Sequence, residues 1–260
     1  MAGRIEFERD PQHAAIGVLT LSHPGKLNAI SVEMWRSLRE LVSSLDAMSP
    51  SLGAVIVRGA GGNFAAGADI EEFPQFRFEP DSLRHYHEQV IGPALRALLA
   101  TDVPLVAQIE GACVGGGLEI ACCCDLRIAA ATARLGAPIA KLGFPMAPDE
   151  LAVVVAAAGR ASVAEVLLEA RLLDAPTALQ RGLLHRLADD PAAEARATAA
   201  RIAELPHEVA RANKRTLRQL ARGGLDEAQR EAHFSYAGSR AHRDGISAFL
   251  ARGVADRTPR

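Results

Sequence analysis

Hydrophobic positions along the first two thirds of the chain alternate between strand-like and helix-like periods. Short apolar runs, most of them bounded by turn residues, predict strands at residues 15–22, 54–58, 104–109, 126–130 and 134–136. Apolar residues at three- and four-residue spacing predict a helix capped by Ser31, and a second over residues 81–100 that breaks or kinks at Pro93. From residue 190 onward the pattern is almost entirely helical. Alternating strands and helices followed by a helical appendage predict an α/β fold.

Capping residues predict where the later helices begin. Ser162, with Glu165 three positions on, forms a potential capping box, and Asp174 and Asp190 each precede a helix that starts near a proline. A further helix is expected at residues 151–158. The only candidate boundary between structural units lies at about residues 190–205.

Two segments of the chain are unusually rich in glycine. The first glycine loop is residues 59–68 (GAGGNFAAGA), and the second glycine segment is residues 110–125 (EGACVGGGLEIACCCD). A chain that turns through Gly115, Gly116 and Gly117 into a helix lets a ligand touch the backbone and leaves unpaired N–H groups pointing outward. The helix dipole adds positive potential there. The triplet is a candidate anion site or a tight strand-to-helix turn.

Several site types are excluded by their spacing rules. Ile120 stands where a dinucleotide-binding glycine motif needs its last glycine, and no Lys-Ser or Lys-Thr pair follows either glycine segment. A serine-hydrolase elbow and a zinc-binding helix are absent, since GISAF lacks the last glycine and His87-Glu88 and His207-Glu208 lack a second histidine. We expect no metal site.

Composition and charge are those of an ordinary globular protein. Hydrophobic residues make up 49% of the chain and charged residues 23%, and the formal net charge of −2 gives no basic patch for nucleic acid. Neither a secretory signal nor an apolar run long enough for a membrane is expected. The four cysteines, three of them adjacent at 122–124, are expected to be small buried thiols. A cytoplasmic location follows as the default.

Five separated segments resemble, in order, those of one known family. They are LSHPGKLNAI at 21–30, NFAAGADI at 63–70, EGACVGGGLE at 110–119 with Asp125 after it, residues 172–187, and GISAFL at 245–250. The family is the crotonase, or enoyl-CoA hydratase/isomerase, superfamily. The resemblance covers nearly the whole chain, and five ordered segments are far more specific than any one motif.

The resemblance implies a crotonase-like spiral of ββα units with a C-terminal helical trimerisation region. Residues 1–200 would form an acyl-CoA-binding core and residues 201–260 an oligomerisation region, in a homotrimer or a hexamer made as a dimer of trimers. The substrate would be an acyl-CoA thioester. Coenzyme A would enter as part of that substrate, and no tightly bound cofactor is implied.

The resemblance also assigns roles to individual residues. The N–H groups of Ala68 and Gly116 would hold the thioester oxygen and meet the charge that develops on it. The contacts to the adenine and ribose end of coenzyme A would come from Lys26, Ala66, Asp69 and Ile70. Phe249 and Arg252 would complete that pocket from a neighbouring subunit, with a structural role as the alternative.

Glu119 is the candidate acid/base group. It stands three residues after Gly116, so on a helix its carboxylate can face the bound thioester, although a glutamate there could also simply complement the helix dipole. Family hydratases carry a second glutamate twenty positions after the first, and here that position holds Ile139. Glu119 is therefore expected to be the sole evident acid/base. Asp149 and Glu150 are the nearest replacements, although both are expected mainly to start a helix.

His85 and His87 are interpreted as surface histidines, with a place in the acyl pocket as the alternative. Four functions remain open at this point. The first is a hydratase-like or isomerase-like enzyme that acts on an oxyanion-stabilised enolate, and the second is an acyl-CoA decarboxylase or thioester hydrolase on the same fold. The third is a non-catalytic acyl-CoA-binding protein. A nucleotide-dependent oxidoreductase is the unrelated alternative.

Overall fold

The structure is a computed structural model that describes residues 1–48 and 51–255, without the side chains of 252–255. The predicted role of Arg252 therefore lies outside the described residues. The chain divides into two compact units, Met1–Glu204 and Leu205–Arg260. The functional division expected at residue 200, into a binding core and an oligomerisation region, stays a prediction.

Nine strands and ten α-helices make up the described part of the chain. The strands are β1 (Arg4–Arg9), β2 (Ile16–Ser22), β3 (Ala54–Gly59), β4 (Leu105–Ile109), β5 (Ala112–Val114), β6 (Leu126–Ala129), β7 (Arg134–Gly136), β8 (Leu172–Asp174) and β9 (Arg186–Leu187). The helices are α1 (Val32–Ser44), α2 (Pro80–His85), α3 (Gly92–Ala100), α4 (Gly116–Cys123), α5 (Pro148–Leu168), α6 (Ala175–Gln180), α7 (Pro191–Ala203), α8 (His207–Ala221), α9 (Glu227–His233) and α10 (Arg240–Ala255).

Two sheets organise the first unit. The larger has six strands in the order β1-β2-β3-β4-β6-β9, and all its pairs are parallel except β1 with β2. The smaller has the order β5-β7-β8. Parallel strands place their carboxyl ends at one edge, and the first glycine loop and the second glycine segment both begin at that edge, after β3 and β4.

Both faces of the larger sheet are covered, which explains why its central strands read as continuous apolar runs. On β3, Val55 and Val57 face the main core, which also holds the buried side chains of α1, α3 and α4. Ala54 and Ile56 face the opposite way and pack with small residues of α7. The main core extends to Trp35 on α1, which is fully buried.

The long helix predicted over residues 81–100 is divided into two. Its break is a π-helical turn, Tyr86–Ile91, between α2 and α3. The turn ends just before Pro93, which has no N–H to donate and here sits in the first turn of α3. The expected break is present, and it takes the form of a π turn rather than a simple kink.

The predicted capping box at Ser162 is wrong. The left-handed Gly159 (φ 77°) already restarts the helix within α5, and Ser162 lies inside the restarted part. The Ser162 hydroxyl donates instead to the backbone oxygen of Arg181 at 2.9 Å. The caps predicted at Asp174 and Asp190 are confirmed, since each side chain accepts a hydrogen bond from a backbone N–H in the first turn of its helix.

By length and composition alone, α5 would also suit a membrane-crossing helix. The break at Gly159 divides it into two pieces, each shorter than the roughly 20 residues that a helical span needs. Its apolar character is therefore weak support for a membrane segment.

The first glycine loop is held at its base by Asn28, which gives a test of the fold. Asn28 has a left-handed φ of 59° and is 4% exposed. Its side chain accepts from the His23 N–H at 3.0 Å and donates to the backbone oxygens of Ala60 at 2.7 Å and Asn63 at 2.8 Å. We predict that Asn28→Ala lowers the free energy of unfolding by about 2–4 kcal/mol, because one buried and two partly buried backbone groups lose their bonds.

Urea denaturation of the wild type, Asn28→Ala and Asn213→Ala measures this effect. Asn213 is exposed on α8, so its substitution should change stability by less than about 0.5 kcal/mol. Equal midpoints for the two variants would contradict the structural role given to Asn28.

Candidate active site

A cavity of about 410 Å³ lies where the two glycine segments meet the π turn and the start of α5. Ala68, Gly116 and Glu119 all line it, as does Ile139 at the position of the missing glutamate. Most of the remaining lining is apolar or aromatic, including Trp35, Phe73, Ile91, Leu142, Phe144 and Met146. A mainly apolar cavity with a few convergent polar groups is typical of a small-molecule site.

Backbone hydrogen bonds join the two glycine segments side by side. The Phe64 N–H donates to the Glu110 oxygen at 2.8 Å, the Ala65 N–H to the Ala112 oxygen at 2.8 Å, and the Val114 N–H to the Ala65 oxygen at 2.9 Å. These bonds make a short parallel bridge between the first glycine loop and β5. The two segments therefore keep a fixed separation at the cavity.

Glycines permit the two backbones to come this close. A Cβ on Gly117 would lie 2.5 Å from the Ala65 oxygen, and Gly67 and Gly115 both have positive φ, at 105° and 51°. Residues other than glycine rarely adopt a backbone conformation with positive φ. At Gly116 a Cβ would lie 2.8 Å from the Trp35 ring, so a side chain there is also disfavoured.

The N–H groups of Ala68 and Gly116 have no hydrogen-bond partner within the described part of the chain. Ala68 is bridged to Ile30, but that bridge uses the Gly67 oxygen and the Asp69 N–H. Gly116 is the first residue of α4, where backbone N–H groups have no partner inside the helix. Two unpaired donors on adjoining segments of one cavity wall are an arrangement that can hold an oxyanion.

Glu119 lies in the first turn of α4 and is 5% exposed. Burial raises the pKa of its carboxyl group well above the ordinary value of 4.5, and the neighbouring Glu150 carboxylate raises that pKa further. Arg77 acts in the opposite direction. A carboxyl group with a raised pKa in a cavity can donate a proton near neutral pH.

Glu150, one of the two nearest replacements for the missing glutamate, also lines the cavity. Glu150 is in the first turn of α5, as expected, but its side chain is buried and contacts the Nδ1 of His87 at 2.6 Å. Asp149 is exposed and pairs with Arg96 at 3.4 Å. The interpretation of His87 as a surface histidine is wrong, since its ring is 15% exposed and lines the cavity, whereas His85 is exposed.

Two further polar residues of the cavity wall had no signal in the sequence. Arg77 follows the short 3-10 helix Ile70–Gln75, and burial lowers the pKa of its guanidinium group. Tyr86 opens the π turn, is 3% exposed and stacks on Phe76 with ring centroids 4.1 Å apart. Burial raises the pKa of Tyr86, so its hydroxyl stays protonated at neutral pH.

The residues assigned to coenzyme A by resemblance fall into separate groups. Ala66 and Ile70 line the cavity, and the side chain of Ile70 is exposed. Asp69 is buried and caps the helix that starts at Ile70, and it accepts a bond from Lys26 at 2.7 Å. Lys26 also donates to Glu71 at 2.8 Å, and both hydrogen bonds raise its pKa. Phe249 is exposed on α10. Their roles stay predictions.

The buried carboxyl group of Glu119 should make stability depend on pH. The folded chain holds this proton more tightly than the unfolded chain, so the contribution of Glu119 is fully present below pH 4.5 and is lost as pH rises toward the raised pKa. We predict that Glu119→Gln, whose amide stays neutral, becomes more stable relative to the wild type between pH 5 and pH 8.

Urea unfolding across that pH range measures the difference. Glu40→Gln, at an exposed position on α1, is the control and should follow the wild-type pH profile. A Glu119→Gln variant whose stability stays parallel to the wild type at every pH would show that the carboxyl group is ionised throughout.

Comparisons with known proteins identify similar sequences and similar structures. The chain is 34% identical to a protein named probable enoyl-CoA hydratase from Mycobacterium leprae, over 66% of this chain and 64% of that relative. A crystal structure described as an enoyl-CoA hydratase/carnithine racemase from Magnetospirillum magneticum is 38% identical, has a TM-score of 0.89 and is matched over 97% of this chain and 94% of that one. The enoyl-CoA hydratase structure from Thermoplasma volcanium is 28% identical, with a TM-score of 0.83 over 94% and 96%.

The sequence alignment with the Mycobacterium leprae relative spans just under two thirds of its length, whereas the structural matches extend over nearly the whole of both chains. They confirm the predicted crotonase-like α/β fold, and the names of the relatives support an enzyme of hydratase/isomerase type with its reaction left open. Residues 11–256 match the enoyl-CoA hydratase/isomerase family as a whole. Because the family match covers most of the chain and the fold is that of the structural relatives, the chain belongs to the enoyl-CoA hydratase/isomerase family.

Proposed function

We propose that this protein adds water to the double bond of a 2-enoyl-CoA thioester through an oxyanion-stabilised enolate. One observation carries the proposal: two carboxyl groups, Glu119 and Glu150, line the same cavity as the unpaired N–H groups of Ala68 and Gly116. Hydration needs one group to activate water and another to protonate C2, which a pair of carboxyl groups can do. Ile139 stands where family hydratases carry their second glutamate, and its side chain cannot transfer a proton. Glu150, on α5, supplies the second carboxyl group instead.

The environments of the two carboxyl groups suggest different roles. Glu150 is in contact with His87 Nδ1, and an ionised Glu150 accepts a hydrogen bond there from the Nδ1–H tautomer of the ring. The contact holds the Glu150 carboxylate in one position, and there it acts as the base that activates water. Glu119 keeps its proton because burial raises its pKa, so it is the acid for C2.

In the proposed hydration, both carboxyl groups and both N–H groups take part. Glu150 takes a proton from water as the water oxygen bonds to C3, and the electrons of the C2–C3 double bond move toward the thioester oxygen. The N–H groups of Ala68 and Gly116 stabilise the negative charge on that oxygen. Glu119 gives its proton to C2 as the carbonyl re-forms. In the reverse direction the same groups exchange roles, and Glu119 is the base.

Exposed apolar side chains in the second unit support the proposal of a homo-oligomer. Phe234, Ile246, Phe249 and Leu250 are each more than half exposed. Ile246, Phe249 and Leu250 are three and four positions apart on α10, so they share one face of that helix, and exposed apolar surface of this kind is typical of a protein interface. Trimer or hexamer remains the proposed assembly.

The two carboxyl roles can be separated by two assays on purified protein. One follows hydration of crotonyl-CoA, and the other follows conversion of 3-butenoyl-CoA to the 2-enoyl isomer, which a single carboxyl group can catalyse by moving one proton. We predict that Glu150→Gln lowers kcat for hydration by about 10²–10⁴-fold and spares isomerisation. Glu119→Gln should lower both by a similar factor.

Asp149→Asn is the matched control, because Asp149 is the exposed neighbour of Glu150 on the same helical turn, and it should leave both rates unchanged. Hydration by Glu150→Gln at the wild-type rate would remove Glu150 from the mechanism. Decarboxylation of malonyl-CoA that does not depend on Glu119, or acyl-CoA binding without any turnover, would favour the alternative functions.

The oxyanion donor on α4 can be tested by a pair of substitutions at Gly116. Proline is tolerated at the first helical position but has no N–H, and alanine retains the N–H. Both add a Cβ against Trp35, so the comparison cancels that contact. We predict that Gly116→Pro has a kcat about 10²–10³-fold below that of Gly116→Ala. Equal rates in two folded variants would rule out the Gly116 N–H as a donor.

A further inference from the structure

Arg77 is a cation in the wall of the same cavity. Its guanidinium carbon lies 4.4 Å from the centre of the Phe73 ring and 3.8 Å from that of the Phe144 ring. The two rings are edge to face, with centroids 6.1 Å apart. Contacts of this kind fix the guanidinium plane and leave its in-plane N–H groups as donors.

The backbone around Arg77 holds it in this position. The Arg77 N–H donates to the Phe73 oxygen at 2.9 Å, so the two side chains are one helical turn apart. Phe76, the residue that precedes Arg77, stacks on Tyr86 of the π turn. Arg77 is therefore anchored between the 3-10 helix Ile70–Gln75 and the π turn that also carries His87.

The donors of Arg77 are not satisfied by the described residues. Its Nε is buried and has no hydrogen-bond partner, and no carboxylate of the described chain pairs with it within 4 Å. Glu119 and Glu150 act on it only through space. The guanidinium group thus lines the cavity without a carboxylate partner among the described residues, and a ligand carboxylate fits the two parallel N–H bonds that such a group can donate.

We propose that Arg77 binds a carboxylate on the acyl chain of the substrate, so that the preferred substrate is the CoA thioester of a dicarboxylic acid. This inference rests on the proposed function for the location of the thioester, and it adds the chemical class of the acyl group. A purely hydrocarbon chain would leave the guanidinium group of Arg77 without an acceptor. A chain that ends in a carboxylate offers the in-plane acceptor which the cavity itself lacks.

A rival explanation is that Arg77 only offsets the charge of Glu119 and Glu150. The two explanations differ in what they predict for matched ligands. If Arg77 only offsets charge, it changes the affinity for every acyl-CoA ligand by the same factor. Recognition of a carboxylate affects only the ligand that carries one.

Binding of two saturated ligands tests the inference without turnover. Glutaryl-CoA and pentanoyl-CoA have the same chain length and differ by a terminal carboxylate in place of a methyl group. Isothermal calorimetry on the full chain should give a Kd for glutaryl-CoA about ten- to hundredfold below that for pentanoyl-CoA. Arg77→Met, which retains an unbranched apolar stem, should abolish that preference, and Arg77→Lys should retain part of it.

Arg84→Met is the matched control, because Arg84 is exposed on α2, and it should leave both Kd values unchanged. Equal affinity of the wild type for the two ligands would overturn the inference. A preference for glutaryl-CoA that survives in Arg77→Met, or an equal loss of affinity for both ligands in that variant, would overturn it too.

Turnover separates this inference from the proposed function. The unsaturated pair, 4-carboxybut-2-enoyl-CoA and pent-2-enoyl-CoA, should show the same ratio in kcat/KM, and Arg77→Met should remove it. A binding preference that depends on Arg77, with no hydration of either unsaturated ligand, would support the inference while the proposed function fails. Hydration of both at equal kcat/KM, with equal Kd values for the saturated pair, would support the function and overturn the inference.

Discussion

The short backbone bridge between the first glycine loop and β5 is the constraint on which the candidate site depends. Three hydrogen bonds between residues 64–65 and residues 110–114 hold two distant parts of the chain in register. Dipoles fixed in advance need no reorganisation when charge develops on a substrate oxygen, and that is why they stabilise it well. If the two segments moved independently, the N–H groups of Ala68 and Gly116 could not meet one oxygen.

The cavity also balances charge within a mainly apolar wall. Burial and then the neighbouring Glu150 carboxylate raise the pKa of Glu119, and Arg77 opposes that effect. Only Glu150 has a hydrogen-bonded partner in His87. Two carboxyl groups placed in unlike surroundings can hold different protonation states at one pH, which is the basis for one acting as acid and the other as base.

Local pattern predicted most of the elements around this site, because the central strands are buried on both faces and their apolar runs are unmistakable. The alternation of polar and apolar residues in β1 (RIEFER) also predicts a strand. It is a weaker signal than an apolar run, because no residue of β1 is fully buried. The capping box at Ser162 failed for a different reason. The motif was present, but the chain had already turned at Gly159, and local sequence does not reveal which start signal is used.

The site residues differ in how far the sequence could identify them. Gly116 and Glu119 lie within one segment, so their spacing on a helix and the resemblance to a known family identify them together. His87 and Glu150 are 63 residues apart and meet only through the packing of two helices, so no spacing rule relates them. Arg77 lies in no periodic element, and its proximity to the cavity follows from tertiary structure alone.

The π turn between α2 and α3 carries one more consequence. A π turn is a helix that has absorbed an extra residue, and in an α-helix each residue advances the side chains by about 100° around the axis. Loss of a single residue from Tyr86–Ile91 would restore a regular helix and rotate the preceding segment, carrying the His87 ring away from Glu150. Chain length in this one turn, as much as residue identity, thus decides whether His87 contacts Glu150.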